Sequence, residues 1–472
     1  MQQHVVVIGG GLAGLAAAEA VVAAASGRRV TIVEAAGRPG GVIATVRRDG
    51  WLIERSADSF LAARPEGLDL VRRLGLAGDL VGIDPRVRRA LVWHRGRAVA
   101  VPTGFRLIAP GRVRGILATP LLSPAGKLRL LAERYVPPRA AAGDESLESF
   151  AVRRLGRQAF ERLVQPLAAG IWTADPTRLS MAAACPDFLA MERLHGSLWA
   201  GERARLREVG PGPVATGARY GQFVTLADGM ETLPRRLAAV LVGRGVAFVT
   251  ANAGPLARGD DGRWRVPLAG ADPQPLDADA VVVALPAAAA ARIVAGVAPA
   301  LAADLAAIEY AGSAVVALGY PRDRVAHPLD AAGMVVPRSA GRRALAVSFS
   351  SSKFPDRAPP GCVLVRVFVG GALDPATARL PDVELSAVAR DEAAILIGAT
   401  GEPLVVQIDR WEGAMPQYHV GHLDRVERIE RAAAAIGGFA LAGAAYRGVG
   451  IPQVIASGQA AAAVATGQPH AT

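Results

Sequence analysis

The sequence predicts an α/β protein in which one nucleotide-binding domain is interrupted by a helical segment and by a second, sheet-rich domain. Three observations carry this prediction. A strand, a glycine-rich turn and a helix open the chain at residues 4–25, a helical pattern fills residues 107–215, and another strand, glycine turn and helix stand at residues 440–462. We expect the first and last units to share one discontinuous domain.

The opening unit has the complete pattern of a dinucleotide-binding βαβ motif. The run "HVVVI" at residues 4–8 predicts a buried parallel strand, and "GGGLAG" then places Gly9, Gly11 and Gly14 before an alanine-rich helix. A second strand, "RRVTIVE", ends at Glu34, 20 residues after Gly14. Glycines allow a tight turn and close approach of a pyrophosphate, the helix N-terminus favours its charge, and the carboxylate accepts a ribose hydroxyl.

Patterns in the middle of the chain predict the helical segment and the sheet-rich domain that interrupt the nucleotide-binding domain. Apolar residues recur at helical spacing within residues 125–136 and 145–171, and a Pro- and Gly-rich stretch follows at 208–221. Residues 223–249 then predict a strand, a helix and a strand, and a buried strand turns into a helix at Pro286. Several apolar runs within residues 312–370 predict a mostly antiparallel sheet.

Bulk composition excludes some classes of function. The formal net charge of +11 comes almost wholly from arginine, because Lys127 and Lys353 are the two lysines of the sequence. The arginines are dispersed and 5% of residues are aromatic, so the interleaved basic and aromatic pattern of a nucleic-acid groove is missing. Dispersed guanidinium groups better suit an anionic small molecule or an anionic membrane surface.

Two cysteines, Cys185 and Cys362, stand far apart, which argues against a disulfide framework and a structural zinc site and predicts a reducing, cytoplasmic compartment.

Glycine, charge or proline interrupts the apolar runs at residues 5–25 and 280–301, so no transmembrane helix is predicted. His419 and His422 have the spacing of metal ligands on a helix, but no third ligand is evident and no metal is expected.

The stretch after Glu34 indicates which dinucleotide binds. "EAAGRPGGV", residues 34–42, resembles FAD-containing enzymes of the flavin amine oxidase superfamily. The resemblance implies that Arg38, Gly40, Gly41 and Val42 wrap the pyrophosphate and ribitol of FAD. A plain turn between strands is the alternative for the two glycines.

Along almost its whole length the chain resembles the FAD-dependent protoporphyrinogen or coproporphyrinogen oxidases of heme synthesis. The stretches that carry the resemblance are "RRALVWHRGRAVAVPTG" (88–104), "LVQPLAAGIWTADPTRLSM" (163–181), "VSFSSSKFPDRAP" (347–359), and "MPQYHVGH" (415–422) together with "AGAAYRGVGIP" (442–452). Their agreement in the same order excludes a chance match to the glycine motif.

The resemblance implies oxygen-dependent, six-electron oxidation of protoporphyrinogen IX or coproporphyrinogen III to the porphyrin. Hydride passes to N5 of FAD, and O2 reoxidises the flavin to give hydrogen peroxide. The implied partners are the porphyrinogen and O2, with no nucleic acid. Contact with the cytoplasmic membrane face, a homodimer and hand-over to the next heme-pathway enzyme are left open, and so is the choice between the two porphyrinogens.

The same resemblance assigns five residues to the substrate site. Arg89 falls where the family binds a propionate, and Gly170 where a backbone carbonyl is proposed to orient or accept a pyrrole proton. Leu329, Met334 and Phe349 are candidate apolar walls. Each has a structural alternative: a solvated basic cluster for Arg89, a helix C-terminal glycine for Gly170, and ordinary core for the other three.

The implied FAD contacts come from separated parts of the chain. They are Gly9, Gly10, Gly11, Leu12, Ala13, Gly14, Glu34, Ala35, Arg38, Gly41, Val42, Ser56, Ala57, Asp58, Ser59, Ala253, Trp411, Gly443, Val449, Gly450 and Ile451. The opening motif is expected to hold adenosine and pyrophosphate, and the closing one the flavin ring and ribitol. Ser56 and Ala57 depart from the family's Gly-Pro, Trp172 from its Tyr or Phe, and Ala444 from its Asn or Ser.

We expect an FAD-binding domain of residues 1–64, 215–286 and 424–472, a mixed-sheet substrate-binding domain of 65–106 and 287–423, and a helical insert of 107–214. The apolar, arginine-bearing stretch at 103–135 suits either a membrane-associated insert or a lid packed on the core.

Three other functions are alternatives to a porphyrinogen oxidase. An amine oxidase typically keeps a lysine near flavin N5, and the corresponding position here is Val316, which disfavours this function. A carotenoid-desaturase-like oxidoreductase shares the closing glycine motif but not "FPDRAP" or "PQYHVGH". A flavin- or porphyrin-binding protein without turnover is suggested by the departures at Ser56 and Ala57.

Overall fold

The computed structural model describes residues 2–24, 27–139, 143–209, 223–269 and 274–467. Most of the predicted interruption at 208–221, and the predicted domain boundary between residues 214 and 215, lie outside the described residues.

The strands fall into a first and a second half of the chain. The first eleven are β1 His4–Ile8, β2 Arg29–Glu34, β3 Thr45–Arg48, β4 Trp51–Glu54, β5 Phe60–Leu61, β6 Leu80–Gly82, β7 Ala90–His94, β8 Arg97–Ala100, β9 Phe223–Leu226, β10 Ala247–Thr250 and β11 Asn252–Ala253. The others are β12 Ala257–Arg258, β13 Trp264–Val266, β14 Leu268–Ala269, β15 Leu276–Ala278, β16 Ala280–Val283, β17 Tyr310–Pro321, β18 Gly333–Val335, β19 Ala344–Phe349, β20 Cys362–Gly370, β21 Val405–Pro416 and β22 Phe439–Leu441.

Helices are concentrated between β8 and β9. The first ten are α1 Leu12–Ala24, α2 Pro65–Arg73, α3 Val113–Ala118, α4 Pro124–Leu131, α5 Leu147–Leu155, α6 Arg157–Ala159, α7 Gln165–Trp172, α8 Met181–Ala184, α9 Pro186–His195 and α10 Leu198–Val209. The others are α11 Thr232–Gly243, α12 Ala287–Val294, α13 Pro299–Ala306, α14 Ser350–Lys353, α15 Pro375–Ala378, α16 Asp382–Ile397, α17 His422–Ala434 and α18 Ile451–Thr466.

A five-stranded parallel sheet, in the order β10-β2-β1-β16-β22, unites strands from the start, middle and end of the chain. Strands β1, β2, β16 and β22 are largely buried because helices cover each side of the sheet, whereas the edge strand β10 is mostly exposed. The expectation that β22 rejoins the sheet begun by β1 is confirmed.

Two glycines allow close packing of helices around this sheet. A Cβ on Gly14 of α1 would lie 1.9 Å from the carbonyl oxygen of Gly9, and one on Gly458 of α18 would lie 2.2 Å from the carbonyl oxygen of Ala13. Because no side chain fits at either distance, the glycine turn meets α1 directly and α1 meets α18 backbone to backbone.

The second domain is built on a seven-stranded sheet in the order β21-β17-β20-β19-β18-β7-β8. All of its pairings are antiparallel except β18 with β7, which confirms the predicted mostly antiparallel sheet. One face packs on α16; the other meets the β3–β4 hairpin and the helical insert.

The insert has its own apolar core and a buried ion network. Arg154 and Glu133 are completely buried and form an ion pair, and Arg154 also lies 3.2 Å from Glu192. These paired charges tie the turn after α4 to α5 and α9. Within the described ranges, no helix has the length and apolarity needed to cross a bilayer.

Three helices that follow predicted domain boundaries pack on the five-stranded sheet. Leu70 and Val71 of α2 belong to the core of this sheet, as do Ala290 of α12 and Leu305 of α13. The apolar faces of these helices therefore cover the five-stranded sheet, and the domain boundaries after residues 64 and 286 stay predictions.

Candidate functional site

The Glu34 carboxylate is fixed at the carboxyl edge of the parallel sheet by two backbone amides. Gly10 N–H donates to Oε2 at 2.6 Å and Ala36 N–H donates to Oε1 at 2.7 Å. Each oxygen retains accepting capacity, so the group is suited to ribose hydroxyls. Ala251 N–H donates to the Glu34 carbonyl at 3.2 Å and brings half-buried Ala253 to the same edge.

A second turn lies against the opening glycine turn. Gly40 N–H donates to the Gly10 carbonyl at 2.8 Å, and a Cβ on Gly41 would lie 3.2 Å from Gly11 Cα. Arg38 closes this turn by donating to the Gly41 carbonyl at 2.7 Å. The bare backbone and the N-terminus of α1 form a cradle that side chains would fill, and it fits the pyrophosphate of FAD.

The other predicted residues of this region flank the cradle. Gly9 has a φ of 108° and lies at the end of β1, and Leu12 and Ala13 are buried in the first turn of α1. Ala35 and Val42 are exposed. An exposed valine beside a bare backbone turn is consistent with a face that a cofactor covers.

Residues 54–59 are fastened to the seven-stranded sheet by a buried ion cluster. Arg366 on β20 donates to the carbonyls of Glu54 and Ser56 at 3.0 and 2.7 Å, and its NH2 lies 2.7 Å from Oδ2 of Asp58. Lys353, at the end of α14, pairs with the same Asp58 oxygen. The side chains of Asp58, Lys353 and Arg366 are 13%, 8% and 4% exposed, so all three charges depend on one another.

Protonation of Asp58 is strongly opposed. Burial by itself raises the pKa of this carboxyl, but the charges of Lys353 and Arg366 outweigh burial and hold the pKa well below its usual range. Burial lowers the pKa of Lys353 despite the attraction of Asp58. The Asp58 carboxylate therefore stays ionised and anchors the segment.

The departure at Ser56 and Ala57 does not distort this segment. Neither residue has a positive φ, so glycine is not required at either position. Ser56 Oγ donates to the Val42 carbonyl at 2.6 Å, Ser59 Oγ donates to Asp58 at 2.9 Å, and Ala57 is exposed. The side chain of Ser56 thus links two stretches that the sequence assigned to FAD.

The closing turn, residues 443–451, is held from behind by two aromatic side chains. Tyr418 Oη donates to the Ala444 carbonyl at 2.6 Å and accepts from Gly448 N–H at 2.9 Å. His422 stacks on Tyr418 with ring centroids 4.1 Å apart, and its Nε2 lies 2.9 Å from the Tyr446 carbonyl. The bond to Tyr418 uses the backbone carbonyl of Ala444, so it does not depend on the side chain at this position.

Other predicted residues of the flavin-ring side lie on the same turn or reach it from β21. Gly443 has a φ of 132° and donates its N–H to Ser457 Oγ at 3.0 Å. Val449 and Gly450 are half-buried, and Ile451 is buried as the first residue of α18. Trp411 Nε1 donates to the Arg55 carbonyl at 2.9 Å, next to the anchored segment.

Gly170 lies in the last turn of α7, where helix carbonyls lack partners inside the helix. Thr173 N–H closes on the Ala169 carbonyl at 3.0 Å, one residue earlier. Gly170 is exposed, and a Cβ there would lie 3.5 Å from Val335 of β18. The backbone of Gly170 is therefore accessible between the insert and the seven-stranded sheet.

Of the other four predicted substrate residues, Leu329 and Phe349 contact His327, apart from Gly170. Leu329 N–H donates to His327 Nδ1 at 2.9 Å, and the Phe349 ring lies 5.4 Å from the imidazole. Leu329, Met334 and Phe349 are packed in the core on the α16 face of the sheet. Arg89 is exposed and pairs with Asp330. Their role as pocket walls stays a prediction.

The face of β18 and β19 that meets the insert presents different side chains. Val335 is buried there, and Ala346 is half-buried against the same apolar cluster. Trp172 of α7 and Val449 of the closing turn contact this cluster as well and are half-buried. Residues from the sheet, the insert and the closing turn thus pack in one apolar cluster.

Sequence reasoning missed the residues that anchor two parts of the site, which are Lys353, Arg366 and Tyr418. A signal existed for Lys353, since it is one of two lysines and stands in "SSKFPDRAP". "PQYHVGH" was noticed as part of a resemblance without a physical role. Val316, at the expected lysine position of an amine oxidase, is buried in the sheet core.

His419 and His422 have separate environments. His419 Nδ1 lies 3.6 Å from Glu309 near the surface, whereas His422 is buried. Over the described residues, no group of three or more His, Cys, Asp or Glu side chains is arranged to hold a metal ion.

The buried imidazole predicts a pH dependence of stability. Burial lowers the pKa of His422 to about 4, against an ordinary value of about 6.5. The unfolded chain therefore binds this proton more readily, and the contribution of neutral His422 is lost as pH falls from about 6.5 to about 4, by roughly 3 kcal/mol. His422→Gln is expected to flatten this part of the urea-denaturation profile, while exposed His195→Gln keeps the wild-type slope. Parallel profiles for all three proteins would contradict the assignment.

Comparison with known proteins agrees with this architecture. The chain is 33% identical over 471 residues to a coproporphyrinogen III oxidase of Bacillus subtilis (strain 168), covering 98% of this chain and 97% of that protein. It is 34% identical over 478 residues to a coproporphyrinogen III oxidase of Propionibacterium freudenreichii subsp. freudenreichii, covering 96% and 88%.

A solved structure is similar over the same extent. It is a provisionally assigned protoporphyrinogen oxidase from Exiguobacterium sp. 255-15, 29% identical, with a TM-score of 0.86 and coverage of 99% of this chain and 100% of that one. The family model for flavin-containing amine oxidoreductases matches residues 12–466. This chain therefore belongs to the flavin-containing amine oxidoreductase family.

Proposed function

We propose that the protein oxidises a porphyrinogen to the corresponding porphyrin with FAD and O2. The observation that carries the proposal is the near-full-length similarity, at 33% and 34% identity, to two proteins named coproporphyrinogen III oxidase. Three features of the structure support the proposal: the cofactor cradle, the anchored segment 54–59, and the apolar cluster that includes Val335, next to Gly170.

The FAD is held by two halves of one site. The adenosine and pyrophosphate suit Glu34, the N-terminus of α1 and the cradle of Gly11 and Gly41. The flavin end suits the segment 54–59, together with the closing turn 443–451.

When bound, FAD supplies the hydride acceptor, and O2 accepts the electrons, so that three cycles convert porphyrinogen and three O2 into porphyrin and three H2O2. The protein has to place the macrocycle and keep water from it. Half-buried Trp172, Ala346 and Val449 provide apolar surface for a tetrapyrrole, and the exposed Gly170 backbone provides an acceptor for a pyrrole N–H.

No acidic or basic side chain is needed to drive the chemistry, because formation of the aromatic porphyrin makes it favourable. Positioning therefore matters more than proton transfer by a side chain. A cytoplasmic site of action is part of the proposal and agrees with a sequence that has two cysteines, far apart along the chain.

The insert is proposed to touch an anionic membrane surface. Leu128 and Tyr135 are 68% and 77% exposed, and Leu117 and Val113 are exposed beside Arg112 and Arg114. Lys127 Nζ donates to the Leu117 carbonyl at 2.7 Å, which places α3 and α4 side by side. Exposed apolar side chains flanked by arginines suit the interface of an anionic bilayer.

The proposed activity is tested by aerobic assay of the FAD-loaded protein with coproporphyrinogen III and with protoporphyrinogen IX. Porphyrin fluorescence should rise with at least one substrate, with three H2O2 formed per porphyrin. Absence of fluorescence with both substrates would refute the proposal. If anaerobic porphyrinogen also failed to bleach the flavin absorbance, only a binding role would remain.

Arg89→Ala is expected to raise the KM for the porphyrinogen about tenfold with little change in kcat, since a charge-assisted bond to a propionate contributes about 1.5 kcal/mol. Asp330→Asn frees the Arg89 guanidinium and should lower KM. Exposed Arg97→Ala is the control for loss of one positive charge. Equal effects of Arg89→Ala and Arg97→Ala would show that overall charge, and not a propionate contact, is responsible.

Leu128→Glu combined with Tyr135→Glu should abolish co-sedimentation with phosphatidylglycerol vesicles and leave activity on detergent-dispersed substrate unchanged. Leu194→Glu, which changes another exposed leucine of the insert, is the matched control. Co-sedimentation that is retained by the double variant, or lost equally in the control, would contradict the proposed membrane surface.

A further inference from the structure

We infer that residues 417–422, here called the strap, set the distance between helix α7 and the closing turn 443–451. Because α7 carries Gly170 and the closing turn suits the flavin end, they are called the substrate helix and the flavin turn below. Gln417 and Tyr418 are the positioning residues of the strap. This inference rests on the proposed function. It assigns roles to two side chains that need not touch the substrate, because each acts through a backbone segment.

Tyr418 holds the flavin side. Its hydroxyl bridges two groups of the flavin turn, donating to the Ala444 carbonyl at 2.6 Å and accepting from Gly448 N–H at 2.9 Å. The side chain is buried, and the stacked His422 ring, which contacts the Tyr446 carbonyl, prevents it from moving away. One hydroxyl therefore fixes both sides of a turn that is otherwise rich in glycine.

Gln417 holds the substrate side. Its Nε2 donates to the Trp172 carbonyl at 3.4 Å and to the Met415 carbonyl at 3.1 Å. Trp172 is the last residue of α7, two residues after Gly170, so this bond reaches the end of the helix that carries the exposed backbone. Gln417 is buried, which protects the bond from competition by water.

The strap itself cannot slide. Ser180 N–H donates to the Tyr418 carbonyl at 2.7 Å, Val420 N–H donates to the Arg178 carbonyl at 2.8 Å, and Gln417 N–H donates to the Glu309 carbonyl at 2.9 Å. With its backbone anchored, the strap has side chains that reach the two segments from a fixed base. A displacement of either segment then changes the separation of the substrate from the reacting face of the cofactor.

The two positions predict different defects, because hydride transfer requires reacting atoms about 3–3.5 Å apart. Loss of the Tyr418 hydroxyl loosens the flavin turn and should weaken cofactor binding. Loss of the Gln417 amide loosens only the end of α7 and should slow reduction without weakening cofactor binding.

The flavin arm uses full-length Tyr418→Phe, which removes one oxygen and keeps the ring stack. The dissociation constant for FAD, measured by titration of the apoprotein with fluorescence quenching, should rise about tenfold or more, because the lost hydroxyl makes two hydrogen bonds to the flavin turn. An unchanged constant would overturn the role of Tyr418. This arm needs no porphyrinogen, so it stands even if the proposed activity fails.

The substrate arm uses Gln417→Leu, which keeps similar bulk but cannot donate. Anaerobic stopped-flow reduction of bound flavin by the porphyrinogen should slow about tenfold, with the FAD constant within about twofold of wild type. Gln3→Leu is the matched control, since Gln3 lies just before β1, outside the strap, and its side chain accepts from Arg28 Nε at 2.8 Å; it should change neither quantity. Equal losses of affinity and rate in Gln417→Leu, or a wild-type rate, would overturn the positioning role.

Discussion

The buried contact of Asp58 with Lys353 and Arg366 is the constraint on which the architecture of the site depends. One carboxylate from the segment that follows β4 meets two cations, one from α14 and one from β20. These charges join the nucleotide-binding part to the seven-stranded sheet, and each of the three can be buried only because the others neutralise it. Arg366 also holds two carbonyls of the segment. Its position on a central strand makes the sheet a base for this segment.

Other polar contacts join the remaining parts of the site, as the Asp58 cluster joins the nucleotide-binding part to the seven-stranded sheet. The parallel sheet brings the opening and closing glycine turns to the same edge, and Ser56 connects the cradle to the anchored segment. The insert, which has its own ionic core, presents α7 to the same region. The site therefore lies where three separately stabilised bodies meet, and short polar links determine their spacing.

The parts of this structure that can be predicted from the sequence are those whose signals lie close together along the chain. The βαβ unit from His4 to Glu34 and the return of β22 to the sheet follow from strand, glycine and helix signals within a few dozen residues. Asp58 and Lys353 are 295 residues apart, and nothing in either neighbourhood indicates the other. The domain boundaries expected after residues 64 and 286 stay predictions, because an amphipathic helix does not specify which sheet it covers. Likewise, whether Met334 or Val335 faces the insert depends on a strand register that periodicity alone does not determine.

Close contact of α18 with α1 through Gly458 has a consequence for biosynthesis. The helix that bears the first pyrophosphate-binding turn completes its packing only against residues made more than 400 positions later, so a ribosome-bound chain has the cradle in outline but lacks its last wall. If capture of the cofactor requires this packing, it follows translation of the region, and we expect bound flavin in a preparation to report that the late-made segments have docked.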